Sequence, residues 1–213
     1  MLGIGYAYVH RQGLGLTGQH AIGTDDNRDN TEPTAETGHP ANIVWQTVDR
    51  SQDGFRVEMP ANQSQIQVPA YNEAGSTDQV NMVFSNPDAE TTFSVAWEDN
   101  PPVARVNRDV AEGTLEMARD GAVERTQTTL VSESANTTQG FPGREFTAKN
   151  SGGGVLSSRL IFAGSRLYML TASFPSAGAR RDKDVSRFFN SFAMTTAAKV
   201  PGNAGSGQSA KND

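Results

Sequence analysis

Three arginines, Arg144, Arg159 and Arg166, stand in strand-like runs of the carboxyl-terminal half. A guanidinium offers a planar fork of donors, so each could take a carboxylate or phosphate bidentately. Arg144 precedes Glu145, and adjacent strand residues face opposite sides of a sheet, which leaves Arg144 free to anchor an anion. The competing reading is an ion pair with an acid on a neighbouring strand. Arg159 and Arg166 flank the Gly164 turn and could join Arg144 in a modest basic patch, or simply keep the sheet soluble. These three are the candidate binding residues, and no catalytic residue is assigned.

The residues that usually run acid–base or nucleophilic chemistry are scarce. Glu98 and Asp99 are adjacent at the end of a strand, so they point apart and do not converge as paired catalytic carboxylates must. The only histidines, His10, His20 and His39, precede every periodic segment, which removes a Ser–His–Asp triad and imidazole base catalysis from the region expected to fold. A metal centre on those imidazoles would lack a rigid second shell, and with Cys 0 there is no thiolate ligand or nucleophile and no disulfide. The expectation is of no metal and no cofactor. Gly13, Gly15 and Gly18 match G-x-G-x-x-G, yet no strand leads into them and Gln19 to Gly23 is a poor helix opening, so linker glycine is the better reading.

A chain of 213 residues fits one domain with tails. Its formal net charge of −6 argues against nucleic acid or an anionic membrane surface as a partner, since both reward clustered Lys and Arg. Leu2 to Val9 is apolar but far short of the about 20 residues that span a bilayer, and no basic region precedes it as in a signal peptide. It reads as a weakly packed extension or as the end of a truncated membrane anchor. An upstream anchor would make the protein membrane-tethered or extracytoplasmic; without one it would be cytoplasmic. The composition assigns residues 1–42 to a disordered extension, 43–195 to the folded domain and 196–213 to a disordered tail.

Strands come first in the domain. Ile43 to Val48 is a short apolar run, and Phe55, Val57 and Met59 alternate with polar residues up to Pro60. Val80 to Phe84 and Phe93 to Trp97 alternate likewise around Asn86-Pro87-Asp88, which predicts a hairpin. After Pro101-Pro102, Asn107 is a candidate cap for a helix whose buried stripe is Ala111, Leu115, Ala118 and Ala122. Four strands follow, Thr128 to Ser132, Gly143 to Lys149, Val155 to Phe162 and Arg166 to Phe174, with tight turns at Gly152-Gly153-Gly154 and Gly164-Ser165. In Asp182 to Phe192, Val185, Phe188, Phe189 and Phe192 recur at i, i+3, i+4 and i+7, one apolar face of a closing helix. The fold class is therefore α+β, an antiparallel sheet of about six or seven strands flanked by helices.

This order, with Gly54-Phe55-Arg56-Val57-Glu58-Met59-Pro60, Gly143-Arg144-Glu145-Phe146, Arg166-Leu167-Tyr168 and Phe188-Phe189-Asn190-Ser191-Phe192, resembles the Mog1/PsbP-like family, and within it uncharacterised bacterial domains. The resemblance covers Ile43 to Thr195 and implies an antiparallel α/β/α sandwich. It also implies an accessory or binding role, as in the lumenal photosystem II subunit and a regulator of a nuclear-transport GTPase. The metal-binding residues of the photosystem proteins have no matching positions here, so no site follows from it. The expected function is a non-catalytic interaction domain for a protein or small ligand, tethered to a larger assembly or membrane. The alternative is a hydrolase or isomerase that uses carboxylates or hydroxyls without His or Cys.

Overall fold

The computed structural model describes residues 43–71, 77–99, 108–164 and 166–195. The three histidines, Gly13, Gly15 and Gly18, the Leu2 to Val9 run, Pro101-Pro102, the Asn107 cap, Ser165 and the 196–213 tail lie outside them. Strands β1 (Trp45–Arg50), β2 (Phe55–Pro60), β3 (Ser64–Tyr71), β4 (Thr77–Ser85) and β5 (Thr92–Asp99) precede helix α1 (Arg108–Arg125). Then come β6 (Thr128–Thr138), β7 (Phe141–Asn150), β8 (Val155–Phe162), β9 (Arg166–Phe174), helix α2 (Asp182–Ser191) and the two-residue strand β10 (Ala193–Met194).

Seven strands form one antiparallel sheet in the order β3-β4-β5-β9-β8-β7-β6. The predicted hairpin is β4–β5 and the predicted meander is β6 to β9, closed onto the hairpin by β5–β9 pairing. Asp88 supplies the turn chemistry after β4, its Oδ1 accepting from the backbone N–H groups of Glu90 and Thr91. Two features depart from the sequence reading. The β1 and β2 runs form a separate sheet, β1-β2-β10, and β3, unrecognised in the sequence, takes an edge of the large sheet.

Each face of the large sheet buries its own cluster. On one, α1 lays Ala111, Leu115, Ala118 and Ala122 against Met82, Ala96, Leu160 and Met169, and the small helix side chains let it approach closely. On the other, α2 and β2 together cover the strands, packing Phe188, Phe189, Phe55 and Met59 onto Phe93, Trp97, Tyr168 and Leu170. Rings interlock there: Phe93 meets Phe188 edge-on at 5.4 Å, Phe55 meets Trp97 at 5.1 Å and Tyr168 meets Phe192 at 5.3 Å. Among the described residues no helix is long and apolar enough to cross a membrane.

The coverage is uneven. β8 and β9 are buried on both faces apart from Arg159 and Arg166, whereas β6 is exposed from Thr129 to Ala135 on both faces. The first two strands of the meander, β6 and β7, thus run out from beneath α2.

Candidate functional site

Where β6 and β7 emerge past α2, the sheet and the helix flank enclose a cleft of about 640 Å³. Its floor is set by strand alternation. Leu156, Ser158 and Leu160 of β8 face α1, which turns Ser157 and Arg159 toward α2. Opposite them on β7 are Thr147 and Glu145, and opposite those on β6 are Ser132 and Ser134. The wall is the outer flank of α2 and the loop that leads into it, with Arg180, Asp182, Ser186 and Asn190.

Arg159 organises this site. Its Nε donates to Glu145 Oε1 at 2.8 Å, Nη1 to the Phe189 carbonyl at 2.7 Å and Nη2 to Asn190 Oδ1 at 3.3 Å, with the guanidinium 5.1 Å above the Phe189 ring. A cation on the last carbonyls of a helix satisfies acceptors that have no partner within it and complements the helix dipole. Arg159 therefore ties β8 to the end of α2, and Glu145, which also accepts from Asn136 Nδ2, neutralises it. Arg180 Nε lies 3.1 Å from Asp182 Oδ1 as an ion pair. Both cleft-facing cations are thus matched by acids.

Ser157 is different. It is 2% exposed, and its Oγ has no hydrogen-bond partner among the described residues. Leaving a buried hydroxyl unpaired costs about 1–3 kcal/mol, which a water or a ligand that bonds it would relieve. Among the described residues no acceptor is in reach of this hydroxyl, so none of them serves as the base that would make it a nucleophile.

The other two arginines lie elsewhere. Arg144 faces α1, where Nη2 donates to Glu112 at 2.8 Å and Nη1 to Glu133 at 2.6 Å, while both oxygens of Glu133 accept from Arg119 Nη1. Burial opposes the charge of Arg144, but the bonds to Glu133 and Glu112 outweigh it and raise the pKa. The ion pair with an acid on a neighbouring strand is the arrangement present. Arg166 shares the α2 face with Arg159 but sits at the far end of the sheet, forked onto Asp99 at 2.6 and 2.9 Å and donating to the Asp53 carbonyl at 2.6 Å. The Asp99 hydrogen bond, working against burial, raises its pKa. The three arginines do not form one patch.

Glu98 and Asp99 do point apart: Asp99 is on the Arg166 side, and Glu98 is buried on the other. Among the described residues no group of three or more His, Cys, Asp or Glu side chains is placed to hold a metal ion. The sequence reading missed Ser157 and Thr147. A serine inside the apolar run Val155 to Phe162 looks like ordinary strand filling, and only the position of α2 reveals that it opens on a cleft.

No protein-family model matches the chain, and no curated protein matches it. Among solved structures it is similar to the solution structure of a cyanobacterial PsbP (CyanoP) from Synechocystis, at 14% identity and a TM-score of 0.47, covering 76% of this chain and 99% of that one.

Proposed function

We propose that this protein is a non-catalytic interaction domain that holds a polar ligand in the cleft between α2 and strands β6 to β8. The observation that carries this reading is the buried, unpartnered Ser157 hydroxyl at the cleft floor. A bound group that hydrogen-bonds Ser157 would relieve its desolvation cost, and Thr147 and Ser132 beside it offer further hydroxyls. The acids favour binding over turnover, because Glu145 is engaged by Arg159 and Asn136, and Asp182 by Arg180.

Of the three arginines, we assign Arg159 to the ligand site, as the group that fixes the cleft wall to its floor. Membership among Mog1/PsbP-like accessory domains, and a tether to a larger assembly or a membrane, are part of the same proposal and rest on the sequence resemblance. The segments behind that resemblance form β2, the start of β7 with Arg144 and Glu145, the start of β9 and the end of α2.

Hydrolysis of p-nitrophenyl acetate by the full chain, compared with Ser157→Ala, separates binding from catalysis. The expected rate equals the uncatalysed background for both proteins. Turnover that Ser157→Ala abolishes would establish an activated serine and overturn the assignment in favour of a hydrolase.

A further inference from the structure

β6 is an edge strand of 11 residues, Thr128–Thr138, that the described residues leave bare on its edge and, from Thr129 to Ala135, on both faces. Natural proteins usually blunt such an edge with Lys, Pro, bulges or shortness. This one carries neither Lys nor Pro, and its single charge, Glu133, is held by Arg119 and Arg144. It also exposes Leu130 and Val131, at 37% and 54%. A bulge between Leu130 and Ser132 leaves Ser132 to Thr138 in unbroken register with β7.

The surroundings of the edge differ in charge on its two sides. On the α1 side four carboxylates, Glu112, Glu116, Asp120 and Glu133, meet two guanidinium groups, Arg119 and Arg144, a surplus of two negative charges. On the α2 side β6 presents Ser132 and Ser134 over the neutral cleft. An added strand alternates its side chains between these two environments. We propose that β6 is a strand-addition site for an extended peptide segment of a partner protein with basic residues at every second position, these facing Glu116 and Asp120 while the intervening small or hydroxyl residues lie over the cleft rim. A second copy of this chain fits worse, because it would bring its own Glu133 and the same acidic ridge to the same side of the sheet. The proposal rests on the reading of the protein as an interaction domain and names the partner's chemistry.

The test uses the full chain, labelled with ¹⁵N, and two capped nonapeptides: alternating Thr and Lys, and alternating Thr and Glu. The Thr–Lys peptide is expected to shift the β6 amides from Ser132 to Thr138 and to bind detectably more tightly than the Thr–Glu peptide. Glu116→Gln with Asp120→Asn should weaken it by about fivefold without changing the fold, as loss of two exposed charge contacts implies. A version of the peptide methylated on alternate backbone nitrogens, on the edge facing β6, should not bind. Equal binding of the two peptides, binding of the methylated peptide, or β6 shifts that appear with protein concentration alone would each overturn the proposal; the last would identify a second copy as the occupant. Shifts confined to Ser157, Thr147 and Asn190 would overturn it while leaving the cleft reading intact. Cleavage of the peptide by the protein would overturn the non-catalytic reading instead.

Discussion

At the β5–β9 centre of the sheet, Phe93, Trp97, Tyr168 and Leu170 lie at 0–2% exposure under α2 and β2, and Ala96, Met169 and Leu167 are covered by α1 on the other face. Three strands away, β6 has the same backbone conformation with exposed side chains from Thr129 to Ala135. It is held by its ladder with β7 and by the Glu133 ion pairs with Arg119 and Arg144. Burial supplies most of the favourable free energy of folding, while half-buried ion pairs contribute less. The centre therefore sets stability, and the β6 end, including the cleft beneath it, is available for binding at small cost to the fold.

The largest effect expected from breaking that division is at the centre. Phe188→Ala removes a ring with no exposed surface that packs on Phe93 and Phe189. It should cost about 3–5 kcal/mol and lower the melting temperature sharply by calorimetry. Arg159→Met, at the boundary between the regions, strips the Phe189 carbonyl of its side-chain donor and leaves Glu145 with Asn136 alone. Denaturant unfolding should show a loss of about 1–3 kcal/mol.

Tyr168 gives the centre a pH signature. Burial raises its phenol pKa above the ordinary value, against the downward pull of Arg166, and its hydroxyl donates to the Asp53 carbonyl at 3.1 Å. A raised folded-state pKa means that the neutral form is the stabilised one. That contribution is complete below the unfolded value of about 10 and is lost as pH rises through the folded value. Tyr168→Phe should flatten the alkaline fall in melting temperature, and an unchanged slope would assign that fall to other groups.

Smaller effects belong to the open end. Ser157→Ala removes a buried hydroxyl that has no partner, so stability should stay constant or rise by up to about 1 kcal/mol. A loss instead would mean that the hydroxyl is bonded in solution. Val131→Thr on the exposed edge should change stability by less than about 0.5 kcal/mol.

The same contrast explains what the sequence disclosed. Wherever one face is buried the period of two or 3.6 is visible, as in Phe93 to Trp97 or in the Val185, Phe188, Phe189, Phe192 stripe of α2. β6 extends to Thr138 rather than Ser132 because Glu133 to Thr138 pair with β7 through the backbone while burying neither face, which leaves no periodic signal. β3 was missed for a related reason: Gln65, Gln67 and Pro69 mark an edge strand, and Pro69 reads as a breaker. The alternation of Phe55, Val57 and Met59 identified a strand correctly, but local alternation is the same in either sheet and could not reveal that β1 and β2 stand apart. Of the candidate arginines, Arg144 alone was legible as one half of an ion pair with an acid on a neighbouring strand. Their separation was not, since it depends on which face each strand position takes and on where the helices lie.

Hydrogen exchange of the full chain, read residue by residue, tests the division most directly. The β9 amides such as Tyr168 and Leu170 are expected to exchange only through global unfolding, while half of the amides from Ser132 to Thr138, those directed away from β7, exchange fast enough to lack protection. Protection along both edges of β6 equal to that of β9 in the isolated protein would contradict it, because the strand would then already be paired and the open end would not exist.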